Sequence, residues 1–239
     1  MVIFEEGLSL EEYREGVLIL INKPKGWSSF DVVKKVRYLL QRNLKAKKLK
    51  VGHGGTLDPL ADGLMLIGVG KATKQLFTIQ EEDKEYVARI TLGATTPSYD
   101  LETEVENKKD VSALSKETIQ AAVNSLLSMK EQVPPLFSAK RINGTRAYEL
   151  ARKGEDKTLE SIKITIHEAE LLRPDLPEIE VRIKCSKGTY IRTIANDLGK
   201  IINCGAYLSG LTRTKSGHYE LVNAIELDKF EEKIILHKV

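Results

Sequence analysis

The sequence predicts an α+β protein built on a largely antiparallel or mixed sheet. Apolar runs and period-two alternations mark strands, and segments with apolar residues at helical spacing are interspersed among them. The two kinds follow one another without the regular βαβ alternation that a parallel sheet requires. The chain of 239 residues, 41% hydrophobic and 30% charged, is long enough to bury a core and has the composition of a globular protein.

The elements follow in order. "VLILIN" (17–22) is a continuous apolar run ended by "KPKG" and reads as a buried strand. In "SSFDVVKKVRYLLQRN", Val32, Val33, Val36, Leu39 and Leu40 share a helical face, and Ser28 with Asp31 has capping-box spacing, so a helix starts there. The run "RNLKAKKLK" (42–50) carries five cations and no acid, and it leads into "GHGGTLDPLADG" (52–63). There Gly54 and Gly55 permit backbone conformations closed to other residues, while Pro59 fixes its own φ and turns Asp58 away from helical geometry. A tight, preset loop is the result. "LMLIGVG" suggests a second buried strand and "KATKQLFTIQ" a short helix. "KEYVARITLG" (84–93) alternates as a half-buried strand with Tyr86, Ala88, Ile90 and Leu92 on one face.

A polar stretch to about residue 114, containing "TTPSYD", reads as loop, and "SKETIQAAVNSLLSMK" as an amphipathic helix. Residues 131–154 hold a Pro pair and an Asn-Gly turn signal and predict a projecting basic loop with helix toward its end. "SIKITIHEAELLR" and "EIEVRIKC" read as strands around a Pro-rich turn. "SKGTYIRTIANDLGKII" passes from a Gly turn into a helix, which puts Tyr190 and Arg192 at a strand-to-helix junction.

Bulk properties narrow the function. A net charge of +3 and a pI near 8.6 permit nucleic-acid binding without demanding it. The two cysteines, Cys185 and Cys204, form no C-x-x-C pair, and four scattered histidines lack metal-ligand spacing, so a disulfide framework or metal centre is not expected. The N-terminus is acidic and no apolar run reaches membrane-span length, which points to the cytoplasm.

"LINKPKGWSSFD", "GHGGTLDPLADGLM", "DKEYVARITLG", "PPLFSAKRINGTRAYELARKG" and "CSKGTYIRTIANDLG", in this order, resemble the tRNA pseudouridine synthase B family. The resemblance implies a pseudouridine synthase catalytic fold, a mixed sheet flanked by helices with an active-site cleft across it. It implies an enzyme that isomerises uridine 55 in the TΨC loop of tRNA, engaging the T-arm and using no metal and no organic cofactor; a monomer is expected, though the sequence does not fix the oligomeric state. Asp58 stands at the family's essential aspartate, Tyr86 and Arg192 at other catalytic positions, and His53, Tyr190, Leu211, Lys23 and Lys74 at substrate-binding ones. A single catalytic domain over 1–239 is expected, with its core at 17–217 and a short tail at 218–239 in place of a full RNA-binding domain of the PUA type. Departures are Gly54, where many relatives have threonine or serine, and "GLTRT" (210–214), with one cation where two are usual.

The chemistry suits these residues. The C1′–N1 bond breaks, the uracil turns, and C5 joins C1′, so atoms are conserved. A carboxylate can attack as nucleophile or stabilise a glycosyl cation, and attack on the base or elimination to a glycal stays open. Arg192 can partner Asp58 through a bidentate fork. Tyr86 can stack on the flipped base and take the C5 proton, His53 can fill the space the base leaves, and Tyr190 and Leu211 can close the pocket. Two rivals are a non-catalytic RNA-binding module on the same scaffold, which the intact Asp58, Tyr86 and Arg192 disfavour, and a relative that works within a guide-RNA ribonucleoprotein.

Overall fold

A computed structural model describes residues 1–138, 140–142, 144–152 and 159–235. Asn143 of the Asn-Gly signal, Lys153 and Gly154 at the end of the basic loop, and the last four residues of the tail lie outside them. In chain order the elements are β1 (Val2–Ile3), α1 (Leu10–Gly16), β2 (Val17–Lys23), α2 (Ser29–Asn43), β3 (Val51–His53), β4 (Asp62–Val69), α3 (Leu76–Glu81), β5 (Lys84–Leu92) and α4 (Lys116–Ser125). There follow β6 (Glu131–Gln132), β7 (Arg141–Ile142), β8 (Thr145–Arg146), α5 (Ala147–Arg152), β9 (Ile162–Lys163), β10 (Ile166–Arg173), β11 (Glu178–Cys185), α6 (Ile191–Ile201), β12 (Ala206–Ser216), β13 (Tyr219–Glu220), β14 (Ile225–Glu226) and α7 (Leu227–Ile235). The fold is α+β, with parallel and antiparallel pairings together. Contacts divide the chain into two compact units, one of Met1–Glu85 with Thr212–Val239 and one of Tyr86–Leu211.

In the first unit β2 and β4 pair antiparallel over seven residue pairs, from Val17↔Val69 to Lys23↔Gly63. Both strands are apolar without alternation because both faces are covered. Val17, Ile19, Ile21, Met65, Ile67 and Val69 pack with Val32, Val36, Leu39 and Leu40 of α2 and Phe230 of α7. Leu18, Leu20, Leu64 and Leu66 pack on the other face with Leu76 and Ile79 of α3. The predicted capping box holds: Ser28 Oγ accepts from Asp31 N–H at 3.1 Å, and Ser28 N–H donates to Asp31 Oδ2 at 3.3 Å.

Several elements of this unit are not predicted from the sequence. Helix α1 carries its own capping box, Ser9 with Glu12. The last residues of β12 pair parallel with β4, Thr212↔Asp62 and Arg213↔Gly63. The segment read as a tail adds β14, parallel to β2 at Ile225↔Ile21, and α7, whose Leu227 and Phe230 are buried in the α2 cluster.

In the second unit the strand order is β12-β5-β11-β10, with β10 and β11 antiparallel. Ala88, Ile90 and Leu92 of β5 and Ile179, Val181 and Ile183 of β11 face Ile119 and Val123 of α4 and Ile194 and Leu198 of α6. The stretch predicted as polar loop is irregular, with only a Thr95↔Glu106 bridge and one at Asp100↔Leu208 among its described residues. It is nonetheless tucked in, and Thr96, Ser98 and Asp100 are all buried. Within 131–154 the described residues form β6, which pairs antiparallel with β9, then the short pair β7/β8 and then α5.

Candidate active site

The Asp58 loop connects β3 to β4. His53 pairs with Ile67, Gly54 N–H donates to Leu66 O at 2.8 Å, and the chain turns at Gly55, whose φ of +130° favours glycine. At Gly54 a β-carbon would come within 3.2 Å of the Ile79 side chain, a tight contact that Ile79 would have to relieve by a few tenths of an ångström. Leu57 is inserted into the unit, and Ser29, buried at the first turn of α2, grips its backbone: Ser29 Oγ accepts from Leu57 N–H and donates to Leu57 O, each at 2.8 Å. Asp58 follows, half-buried, and its carbonyl accepts from Ala61 N–H at 3.1 Å. On the far side Pro59 O accepts from Gly26 N–H at 2.8 Å, which ties the "KPKG" turn to the loop.

Two buried cations stand beneath this loop. Lys23 is 0% exposed, and its ammonium donates to Trp27 O at 2.6 Å, Pro24 O at 3.1 Å and Pro59 O at 3.5 Å. Burial pushes its pKa down to about 8, against the attraction of Asp62 and Asp58 and with the repulsion of Arg213. What Lys23 offers is therefore charge and loop support. Arg213, 1% exposed, donates from Nε to Leu64 O at 2.7 Å, from Nη2 to Gly55 O at 3.2 Å and from Nη1 to Thr56 O at 3.5 Å. Beside it Thr212 Oγ1 donates to Asp62 Oδ1 at 2.6 Å. The sequence alone presents Arg213 only as a lone surviving cation. The strand also carries Lys215 and its alternation breaks at Leu211–Thr212, so the order of residues does not single Arg213 out.

Burial first, then the charge of Arg213, lowers the pKa of His53 below its ordinary value, so the imidazole is neutral at pH 7. His53 also lines an open groove of about 1090 Å³ whose walls carry Arg14, Arg37, Lys48, Lys50, Lys71 and Lys74, of which Arg14 pairs with Glu11 and Lys71 with Glu15. Lys74 is exposed there, and the predicted basic run 42–50 supplies Lys48 and Lys50.

Tyr86, Tyr190, Arg192 and Leu211 belong to the second unit. Tyr190 caps α6, and buried Gln132 holds it by donating to Tyr190 O at 3.3 Å and accepting from Tyr190 N–H at 2.6 Å. Arg192 Nη1 lies 3.4 Å from Asp100 Oδ2 with both side chains buried, and its guanidinium carbon is 5.9 Å from the centre of the Tyr190 ring. Tyr86 and Leu211 pack, half-buried, against the apolar cluster that includes Ile191 and Ile194. Asp100 and Gln132 are the functional candidates that the sequence reading passes over.

Residues 41–191 match the model of the TruB family pseudouridylate synthase N-terminal domain, and residues 192–238 that of the tRNA pseudouridylate synthase B C-terminal domain. A protein of Phocaeicola vulgatus called tRNA pseudouridine synthase B is 48% identical over 220 residues, 92% of this chain and 94% of the relative. One of the same description from Flavobacterium johnsoniae is 50% identical over 94% of this chain and 98% of its own length. Another from Clostridium kluyveri is 43% identical over 92% of this chain and 73% of its own. Among solved structures, a Cbf5-Nop10-Gar1 complex superposes over 97% of this chain with a TM-score of 0.69 and 24% identity. An H/ACA RNP bound to a substrate RNA containing 2′-deoxyuridine does so over 94% with a TM-score of 0.66 and 23% identity. The chain spans 60% and 55% of those two chains, and at such identity they show the shared fold alone. With a family model over most of its length and relatives near half identity over nine-tenths of it, the chain belongs to the TruB family of pseudouridylate synthases.

Proposed function

We propose that the protein isomerises a uridine of tRNA to pseudouridine, that the target is uridine 55 of the TΨC loop, and that Asp58 is the nucleophile. The observation that carries this reading is the loop itself. A carboxylate sits on backbone fixed from several directions and within reach of a buried ammonium's field, in a chain 48% identical over 92% of its length to a protein called tRNA pseudouridine synthase B. A charged nucleophile in a site that excludes water needs cations near it, and fixed ones cost no reorganisation during reaction.

The target uridine is extruded from the folded RNA loop. Asp58 attacks C1′ as the C1′–N1 bond breaks, the detached uracil turns, and C5 attacks C1′ and displaces the carboxylate; C5 loses its proton and N1 gains one, so atoms balance and no electrons enter or leave. Tyr86 stacks on the base and receives that proton. The guanidinium of Arg192 serves the carboxylate of Asp58, and Tyr190 and Leu211 keep water from the detached sugar. Neutral His53 fills the vacated stack without the desolvation cost of a charged ring. The cation-lined groove that His53 also lines, Lys74 included, takes phosphates of the T-arm and positions the RNA without reading its sequence.

The test is to incubate purified protein, without guide RNA, with an unmodified tRNA transcript and map pseudouridine. The expected outcome is a single site in the T-loop, and none with Asp58→Asn, which still binds tRNA because the amide keeps the shape and removes the charge. Turnover by Asp58→Asn within about tenfold of wild type would sink the nucleophile assignment.

A further inference from the structure

We propose that Ser29 and Arg213 are positioning residues that aim Asp58 by holding the three residues before it. This rests on the reading of Asp58 as the reacting group. Neither side chain is placed to touch substrate, since Ser29 is 4% exposed and Arg213 1% exposed, and both spend their hydrogen bonds on loop backbone.

The geometry is that of a clamp with two jaws. Arg213 takes the carbonyls of Gly55 and Thr56, and Ser29 takes both the N–H and the carbonyl of Leu57. Three consecutive peptide groups therefore end on side chains brought from elsewhere in the sequence, 28 residues away for Ser29 and 158 for Arg213 at Gly55. The loop's exit is fixed to the same strand that carries Arg213. Thr212 bonds to Asp62, and Gly63 lies so close beneath Arg213 that a β-carbon there would sit 2.5 Å from the Arg213 carbonyl. Pro59 restricts the backbone only from Asp58 onward, so the Gly55–Thr56–Leu57 segment before it depends on these bonds, and a displacement of about 1 Å can cost roughly a hundredfold in rate. Fixing the peptide planes before Asp58 removes the torsions through which its carboxylate would wander.

The experiment compares Ser29→Ala, Arg213→Lys and a control, Ser9→Ala, which removes an exposed serine cap at the start of α1. For each, kcat and KM on unmodified tRNA, tRNA binding, folded fraction and backbone amide exchange at residues 55–58 are measured. Ser29→Ala is expected to lower kcat at least thirtyfold per folded molecule with KM and tRNA binding within threefold of wild type, and to speed exchange at Leu57. Arg213→Lys keeps the charge and loses the fork, and should act in the same direction. Ser9→Ala should leave kcat unchanged. A kcat for Ser29→Ala and Arg213→Lys within threefold of wild type, or a loss that merely tracks the folded fraction, would overturn the proposal. So would unchanged exchange at Leu57 in Ser29→Ala, a readout that needs no activity. Wild-type protein that forms no pseudouridine defeats the functional reading instead, and the amide exchange then decides whether the clamp exists. If one variant fails to fold, the kinetics of the other decide between these outcomes.

Discussion

The two units bury cations in opposite ways. Beneath the Asp58 loop, Lys23 and Arg213 give their hydrogen bonds to backbone carbonyls, and carboxylates act on Lys23 only as a field. In the second unit Arg192 meets the carboxylate of Asp100 directly, both side chains below one-tenth exposed. A cation satisfied by neutral carbonyls keeps its charge available to whatever lies nearby, whereas one paired with a carboxylate is oriented by it and presents its planar fork in a fixed direction. The first arrangement suits a field around a nucleophile. The second suits a rigid strut at the start of a helix.

The comparison breaks most sharply at the ion pair. Asp100→Asn removes a carboxylate against which Arg192 is buried and should cost about 3 kcal/mol of stability in urea unfolding. Arg192→Lys should lower kcat at least a hundredfold, because an ammonium cannot copy the fork; near-normal activity would reduce Arg192 to a structural partner of Asp100. A smaller effect is expected in the groove. Lys74→Ala should weaken tRNA binding severalfold and reduce the slope of log K against log salt by about one, with kcat little changed. A slope identical to wild type would move the RNA path away from Lys74.

The smallest effect concerns Lys23. Its pKa is about 8 in the folded chain and near the ordinary 10.5 when unfolded, so between those values the unfolded state binds more protons. Stability contributed by this group therefore rises as pH increases from 8 toward 10.5, and the difference between wild type and Lys23→Met should move in wild type's favour across that window. A difference that stays flat from pH 7 to pH 10 would place the ammonium in a wetter environment than its burial indicates.

What the sequence makes legible is whatever depends on neighbours in the chain. The strand at 17–22, the Ser28–Asp31 cap, the α2 stripe and the preset loop around Asp58 are all written in spacings of two to four residues. The clamp is not legible, because Ser29 reads as the second serine of a helix start and Arg213 as a strand cation. Their meaning comes from Leu57 and Gly55 across the fold. Asp100 is hidden for the same reason, since a polar stretch gives no sign that one of its acids will be buried against an arginine 92 residues on. Helices α1 and α7 are within reach: Ser9 with Glu12, and Leu227, Phe230 and Ile234, carry the same signals that identify α2.

The first unit is discontinuous, and this bears on the order of assembly on the ribosome. Residues 1–85 emerge first but lack β12, β14 and α7, so the strands and the Phe230 that complete their core arrive only after Tyr86–Leu211 has been made. At a synthesis rate of about 5–20 residues per second that delay is roughly 6–25 s, time in which the inserted unit can fold from its own contiguous sequence. The Asp58 loop receives Arg213 only at the end of this sequence. A nascent chain therefore carries Asp58 long before it carries the means to aim it.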